Sequence, residues 1–595
     1  MKLISVKILG DNFRSLVANK LYAFNHTVRP DRLSTKVFAG LNGSGKSNFL
    51  ELFSEIFYFM EVCGLDTVPL TEKASKNFGF EIEYLLPLDK YKFFQLLSEE
   101  LHEVYTDYIK SNYRLAKVSQ EDFELLYLTE LEAQVEAHFH NLYASFVDSD
   151  YLHVRVEKPL GSQPQYSIKA ISGVIIKGYR TILQNIHLLL PSKIIAYTSG
   201  QNELLSNPYY KLKYHYFKSH EDKKQVDQPL ADNHRLFFLD YNTNFSIFVA
   251  NILLAEEKKV NILKEVLQIN DLQAFRITLN TDELYKRVIP VNETLANNLE
   301  RLKLCATSWI EKRVGEHNLL VLDFLVNKEV KSAFTFHFTN AFTLFKLFYE
   351  LEIFNLYLVE KKTRDLMLQV HKSYNFSDEM SKPEPSRLVF RIEQIWISKQ
   401  IEAAKPPRNI YYKALSDGEH QFNEVMGTVL MMEQEGCLFL IDEPDTHFNP
   451  KWRAKLIKML NYMAATALDS KGNIEKVRRQ EVVLTTHSPF VISDSVTEDV
   501  YRFTKKEGLI EFENPAIKTY GTSITILLDE IFEKEETISE MAKKELLQMV
   551  DSIGTLDDLR IVVDRLNTEF GDSVEKFDLF GRLRNIKEEL DKKEK

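Results

Sequence analysis

The chain has 595 residues, too many for one compact core, so two or more lobes are expected. With 44% hydrophobic and 27% charged residues it has ordinary globular composition, and a net charge of −11 excludes a protein that coats nucleic acid over its whole surface, though not one with a local basic patch. Three widely spaced cysteines, Cys63, Cys305 and Cys437, exclude a disulfide framework or a four-thiolate metal site and point to a reducing, cytoplasmic setting.

The N-terminal MKLISVKILGDNF reads as a strand and not as a leader, because Lys7 and Asp11 interrupt its apolar run. No run of about 18 apolar residues occurs, so no membrane contact is expected. A second strand, KVFAG, ends at Gly40, and helical spacing follows from Ser47 to Met60. FGFEIEYLL, from Phe78 to Leu86, is a further strand that closes a first lobe over residues 1–90. Residues 91–185 read as a proline-free helical arm followed by the strands YLHVRVEK and YSIKAISGVII. Residues 186–250 return to the first lobe through KIIAYTSG. Residues 251–384 read as a helical insertion, and Pro383, Pro385, Pro406 and Pro407 punctuate the return to strands. Residues 385–530 alternate strand and helix, through RNIYYKAL, a helix from about Glu419, CLFLI and EVVLTT, and residues 531–595 form a charged helical tail.

The sharpest motif is GLNGSGKS, which matches G-x-x-x-x-G-K-[ST] between a strand and a helix. Gly40, Asn42, Gly43 and Gly45 let backbone amides turn toward phosphate oxygens. Lys46 supplies a charge to the β- and γ-phosphates, Ser47 a hydroxyl to Mg²⁺, and the helix opening at Ser47 and Asn48 points its positive end at the anion. The expected ligands are therefore ATP and Mg²⁺. CLFLIDEPD is an apolar strand that ends in acids, where open α/β sheets place their ligands. Asp442 is expected to hold Mg²⁺ and Glu443 to act as general base on the attacking water.

ALSDGEHQ, Ala414 to Gln421, precedes the acidic strand, and here the sequence resembles the ABC-type ATPases, in particular their SMC/RecF-like branch. The resemblance implies an α/β fold, a two-lobed P-loop head with a helical insertion and a helical C-terminal tail. It implies that Ser416, Gly418 and Glu419 reach the γ-phosphate held by a second copy, so that the site is completed when two heads pair. PDTHFNP resembles the loop that runs between the paired sites, which implies a nucleotide contact for Asp445. TTHSPFVISD resembles the switch segment, and it implies that His487 senses the γ-phosphate and holds the attacking water. DNFRSL resembles the opening of such heads and implies a phosphate contact for Arg14, while the amide near Mg²⁺ is assigned to Gln201. The stretch between the lobes is too short for the long coiled coils of true SMC proteins.

EPDTHFNP, YTSGQNELLS and FFLDYN resemble the compact ATPases of bacterial defence, most of all the ATPase subunits of Septu antiphage systems, which are also found attached to retrons. That resemblance implies self-association in an even-numbered assembly and an HNH-type nuclease as partner. Two alternatives stand beside it. A RecF-like repair clamp would contact DNA or RNA through Lys451, Arg453, Lys455 and Lys458 on one helix and Lys476, Arg478 and Arg479 nearby. A nuclease with its own cutting module would need acids such as Asp557 and Asp558, which fall in a helical context with the wrong spacing, or the pair His138 and His140, which falls in the arm. No intrinsic nuclease activity is expected.

Overall fold

The computed structural model describes residues 1–65, 76–96, 133–141, 150–169, 175–181, 186–200, 202–221, 234–286, 293–360, 387–401, 405–533 and 538–593, with residues 74, 143, 144 and 362. At its centre is a seven-stranded sheet in the order Leu509–Glu513, Val500–Lys506, Ser34–Gly40, Glu481–Thr486, Leu438–Asp442, Ile194–Thr198, Leu236–Phe238. Only the Leu509–Glu513 edge runs antiparallel; the other six strands are parallel, so their C-terminal ends share one rim. Leu438–Asp442 and Glu481–Thr486 are buried along their whole length, as the unbroken apolar runs require of strands covered on both faces.

A six-stranded antiparallel sheet begins with Leu21–Ala23, Lys2–Leu9, Gly79–Pro87 and Tyr151–Lys158 and ends in Gln165–Lys169 and Ile175–Thr181, so the expected strand YSIKAISGVII is two strands of this sheet. The helix Lys46–Cys63 lies between the two sheets. Its Phe57 and Phe59 meet Tyr84 and Phe80 of the antiparallel sheet, while Phe49 meets Phe38 and Phe503 of the parallel one. A helix gripped from both sides must be apolar around most of its circumference, and nearly all its residues are buried.

A helical insertion over residues 251–384 is only partly what the chain forms. Helices Glu257–Leu267, Glu293–Cys305, Lys328–His337 and Ala341–Ile353 are present, but Ile269–Asn280, Ser308–Val314 and His317–Leu325 are strands. With Phe390–Lys399 and Arg408–Tyr411 they make a five-stranded antiparallel sheet. The lower part of the expected arm and residues 363–386 lie outside the described residues; the helix Lys90–Leu96 and a helix at 133–141 are what is described of the arm. The tail is helical as expected. Glu540–Asp551, Leu556–Glu569 and Val574–Lys593 enclose a small core of their own around Leu546, Leu566, Leu579 and Leu583. Among the described residues no helix is long and apolar enough to cross a membrane.

The two main sheets are tied through one buried acid. The Glu481 carboxylate accepts from the Leu3 amide at 2.7 Å, from Ser34 Oγ at 2.9 Å and from Lys36 Nζ at 2.7 Å, with both charged side chains shielded from solvent. Glu481→Leu leaves the Lys36 ammonium buried beside lost acceptors and is expected to cost about 3–5 kcal/mol. The prediction is a lowered urea midpoint for Glu481→Leu, largely recovered in the Glu481→Leu/Lys36→Met double variant, where no charge is stranded.

Candidate functional site

The rim formed by the C-terminal ends of the parallel strands gathers most of the residues singled out by sequence. Gly40 closes the strand Ser34–Gly40, and its φ of +150° places a hypothetical Cβ 2.4 Å from the Phe503 carbonyl, so glycine is required there by contact. Gly45, at φ +91°, would bring a Cβ within 1.9 Å of Ile510 Cδ1. Asn42 and Gly43 lie exposed on the loop between them. The helix Lys46–Cys63 then opens with no side-chain cap; the Asn48 amide turns back to the Gly45 carbonyl at 3.2 Å, and the Lys46 and Ser47 amides are left for an anion. Asn48 in its first turn donates to Ser15 Oγ at 2.6 Å and so pins the loop to the N-terminal strand's extension.

Asp442 is the hub of this rim. Its Oδ1 accepts from Ser47 Oγ at 2.8 Å and from Thr485 Oγ1 at 2.7 Å; its Oδ2 accepts from Asn202 Nδ2 at 3.3 Å and Thr198 Oγ1 at 3.4 Å. Four elements therefore converge on one carboxylate. The hard oxygens of Ser47 and Asp442 are the donor type Mg²⁺ prefers, and that ion keeps room for phosphate oxygens and waters. Gln201, assigned to this position by sequence, lies outside the described residues; its neighbour Asn202 is the amide that reaches Asp442. Nothing distinguished the two in the sequence, since both follow the strand Ile194–Thr198 within a few residues.

Lys46 folds back on its own loop and donates to the Gly40 and Leu41 carbonyls at 3.1 and 3.0 Å. Its Nζ also lies 3.0 Å from His487 Nε2, and the same nitrogen lies 2.9 Å from Glu443 Oε1. One imidazole nitrogen offers one in-plane bonding site, so His487 either accepts from Lys46 or donates to Glu443. The hydrogen bond from His487 holds the Glu443 carboxyl below its usual range, against partial burial and with help from Lys46. Glu443 also carries a left-handed backbone, φ +51°, an uncommon state for a residue with a side chain. Three bonds hold it there: its amide donates to Thr485 Oγ1 at 3.0 Å, Gln421 Nε2 donates to its carbonyl at 3.3 Å, and Thr446 Oγ1 to the same carbonyl at 3.0 Å.

Ser416 caps the helix Asp417–Met431 in a reciprocal box with Glu419, whose carboxylate also pairs with Lys399. Among the described residues, none of the bonds made by Ser416 or Glu419 goes to Gly40–Ser47. Gly418 sits where a Cβ would come within 2.6 Å of the His447 carbonyl, so the signature packs on the loop that follows Glu443. Gln421, which sequence reading passed over, links the two: it donates to the Glu443 carbonyl and accepts from the His447 amide at 3.1 Å. Asp445 is turned inward. It accepts from Thr486 Oγ1 at 3.1 Å, and burial raises its pKa, so within this chain it shapes the loop and does not face outward to a nucleotide. Arg14 has φ +57° and its Nε lies 3.3 Å from the buried Glu51, one helical turn beyond Ser47.

The basic residues assigned to a nucleic-acid face separate on inspection. They do not share one helix: Pro450–Arg453 and Leu456–Ala464 are distinct. Arg453 donates to the carbonyls of Asp445 and Thr446, each at 3.0 Å, and Arg478 is buried among the carbonyls of Leu430, Met432, Met463 and Ala464. Lys451, Lys455 and Lys458 remain exposed. Asp558 spends its carboxylate on the Gly554 and Thr555 amides at the start of Leu556–Glu569, and Asp557 pairs with Arg560 at 3.5 Å. His138 and His140 sit on the helix at 133–141, with His140 exposed and 3.4 Å from Glu136.

Residues 253–493 match the family model described as "AAA domain, putative AbiEii toxin, Type IV TA system". The matched segment holds Ser416, Asp442, Glu443 and His487, and the central sheet sets Gly40–Ser47 beside the last three but not beside Ser416. The chain is 23% identical over 190 residues to protein ea59 of Escherichia phage lambda; the match takes in 30% of this chain and spans about a third, 34%, of that relative. Two structures of the recombination mediator protein RecF, one with ATP, cover 86% of this chain and 99% and 97% of theirs, at 12% identity and a TM-score of 0.27. The protein is a mixed α/β chain that carries a P-loop sequence at Gly40–Ser47, a segment over residues 253–493 similar to that AAA-domain model, and a helical C-terminal segment.

Burial lowers the Lys46 pKa to about 8, although Glu443 and Asp442 act to raise it. Above that pH the lysine is partly neutral, and a phosphate anion beside it restores the proton. ATP binding at about pH 8.5 is therefore expected to take up protons, and uptake should vanish below about pH 7, where the lysine is already charged. Calorimetry in buffers of different ionisation enthalpy measures this, with Lys46→Ala as the control that takes up none.

Proposed function

We propose that the chain is the ATP-binding and ATP-hydrolysing subunit of an antiphage defence complex, in which pairing of two heads regulates a separate HNH-type nuclease. The observation that carries the ATPase part is the convergence of Ser47, Asn202, Thr198 and Thr485 on Asp442, one residue from the left-handed Glu443. Ser47 and Asp442 would hold Mg²⁺, which when bound neutralises charge on the β- and γ-phosphate oxygens. Lys46, drawn off the Gly40 and Leu41 carbonyls, binds the same oxygens. His487, no longer an acceptor for Lys46, is then available to hold the attacking water with Glu443, whose lowered pKa keeps it ionised and able to draw off a proton. The exposed signature at Ser416 serves a second copy, which makes a head-paired, even-numbered assembly the working form.

The defence reading rests on the resemblance of the EPDTHFNP, YTSGQNELLS and FFLDYN segments to Septu-type ATPase subunits, and the matching family model is itself described by a toxin–antitoxin term. In this reading cutting belongs to the partner; Asp557 and Asp558, the acids weighed for a cutting site of the chain's own, serve as surface and capping acids.

Glu443→Gln is expected to bind ATP as the native chain does while hydrolysing it about 10²–10⁴-fold more slowly; an unchanged rate would remove the role assigned to Glu443. The partner is tested by affinity capture of the tagged full chain from its native cells, with mass spectrometry and nucleic-acid recovery. A co-purifying small HNH-type protein supports the defence reading. Recovery of DNA alone, lost on charge reversal of Lys451, Lys455 and Lys458, would replace it with a RecF-like clamp.

A further inference from the structure

The opposite rim of the central sheet carries a second concavity. The strands Ile194–Thr198, Leu236–Phe238, Leu438–Asp442 and Glu481–Thr486 all enter the sheet there, and the residues just before them, Lys193, Arg235, Gly436 and Arg479, line an open cleft of about 640 Å³. Helix Lys90–Leu96 forms its other wall and contributes Lys92, with His187 between the two walls. Two lysines and two arginines therefore line one cleft whose lining holds two acids, Asp89 and Glu435.

Acids balance the two arginines of this set and leave the two lysines without an ion-pair partner among the described residues. Glu435 is engaged by Arg479, and Arg235 is held by Glu61 behind the wall, at 3.1 Å. Lys193 donates to the His234 carbonyl, a neutral partner. The Lys92 ammonium has no hydrogen-bond partner among the described residues, and Asp89 spends an oxygen on the Lys92 backbone amide at 2.9 Å. The cations also oppose one another. Burial, and then repulsion from Arg235 and Lys346, pushes Lys193 down to about 8. Burial likewise lowers Lys92 and His187, and Arg235 adds to the effect on each. Like charges held together in a concave, partly desolvated wall focus a positive potential that an anion relieves. Tyr91, 71% exposed at the rim, offers a ring face beside that charge.

We propose that this cleft is a second anion site, for a small phosphorylated ligand of about nucleotide size, distinct from the Gly40–Ser47 loop. The volume falls in the ordinary range for a small-molecule site, about 300–1,000 Å³. A phosphate chain would take Lys92 and Lys193 as its point-charge partners, and a planar base or similar ring would lie against Tyr91. The two sites sit on opposite rims of the same strands, about 17 Å apart along the five residues of Ile194–Thr198.

The test titrates inorganic tripolyphosphate by calorimetry, at low ionic strength, into the full chain and into Lys46→Ala, Lys92→Glu and the double variant. Lys92→Ala, with a melting curve for each protein, guards against a folding defect. Two equivalents are expected for the native chain and one for each single variant. In the Lys46→Ala background, Lys92→Glu should weaken the remaining site at least about tenfold. Loss of all binding in Lys46→Ala, with Lys92→Glu indistinguishable from native, would overturn the cleft and leave the nucleotide loop intact. Binding that survives Lys46→Ala and disappears with Lys92 would support the cleft while contradicting the assignment of Gly40–Ser47. A ten-nucleotide single strand that displaces tripolyphosphate from Lys46→Ala at lower concentration would overturn the small-ligand assignment in favour of a nucleic-acid backbone.

Discussion

One carboxylate organises the site. Asp442 ends a strand that is buried throughout, so its position is fixed by the sheet and not by its own flexibility. Ser47 from the phosphate loop, Thr485 from the neighbouring strand, Thr198 from the strand on the other side and Asn202 from the loop after it all donate to it. A buried carboxylate is costly unless its oxygens are satisfied by donors of this kind. The same donors carry its geometry outward: Thr485 also takes the Glu443 amide, and so helps impose the left-handed turn that sets the Glu443 carboxylate beside His487.

From that turn the constraint passes to the surface that a second copy would meet. Gln421 spans the Glu443 carbonyl and the His447 amide, while Gly418 lets the signature helix pack against the same loop. Arg453 clamps the loop from beneath through two carbonyls. The conformation of Glu443 and the placement of Ser416 are thereby tied to one connected group of residues, so a change at one rim position has a short route to the surface that head pairing would use. The parallel strands offer a second, longer route, toward the cationic cleft at their entry ends.

Much of this was legible in the sequence for a physical reason. Gly40–Ser47, Asp442, Glu443 and His487 stand where chemistry permits few residue types, and each closes an apolar strand that advertises itself. What escaped was of another kind. Ser308–Val314 is exposed on both faces, so it shows no alternation, and Ile269–Asn280 is irregular in burial; without those signals the strands of the five-stranded sheet that fall within residues 251–384 read as helix. Arg453 and Arg478 looked like a solvated basic face because nothing in a sequence marks an arginine that satisfies backbone carbonyls. Asn202 and Gln421 are neutral amides whose partners come from residues 240 and 22 to 26 positions away. ALSDGEHQ stands out by resemblance alone, and among the described residues its Ser416 and Glu419 make no bond to Gly40–Ser47; its service to a second head belongs to the proposal.

The central claim is that this detachment is functional: two heads complete each other's sites. Sedimentation velocity of Glu443→Gln, with and without ATP and Mg²⁺, tests it most directly. The account predicts that ATP increases the mass by head pairing, and that Ser416→Arg, placed on the same background, binds ATP without the increase. A chain that binds ATP, keeps the same mass, and in its native form hydrolyses ATP at a specific rate independent of protein concentration and of Ser416 would contradict it.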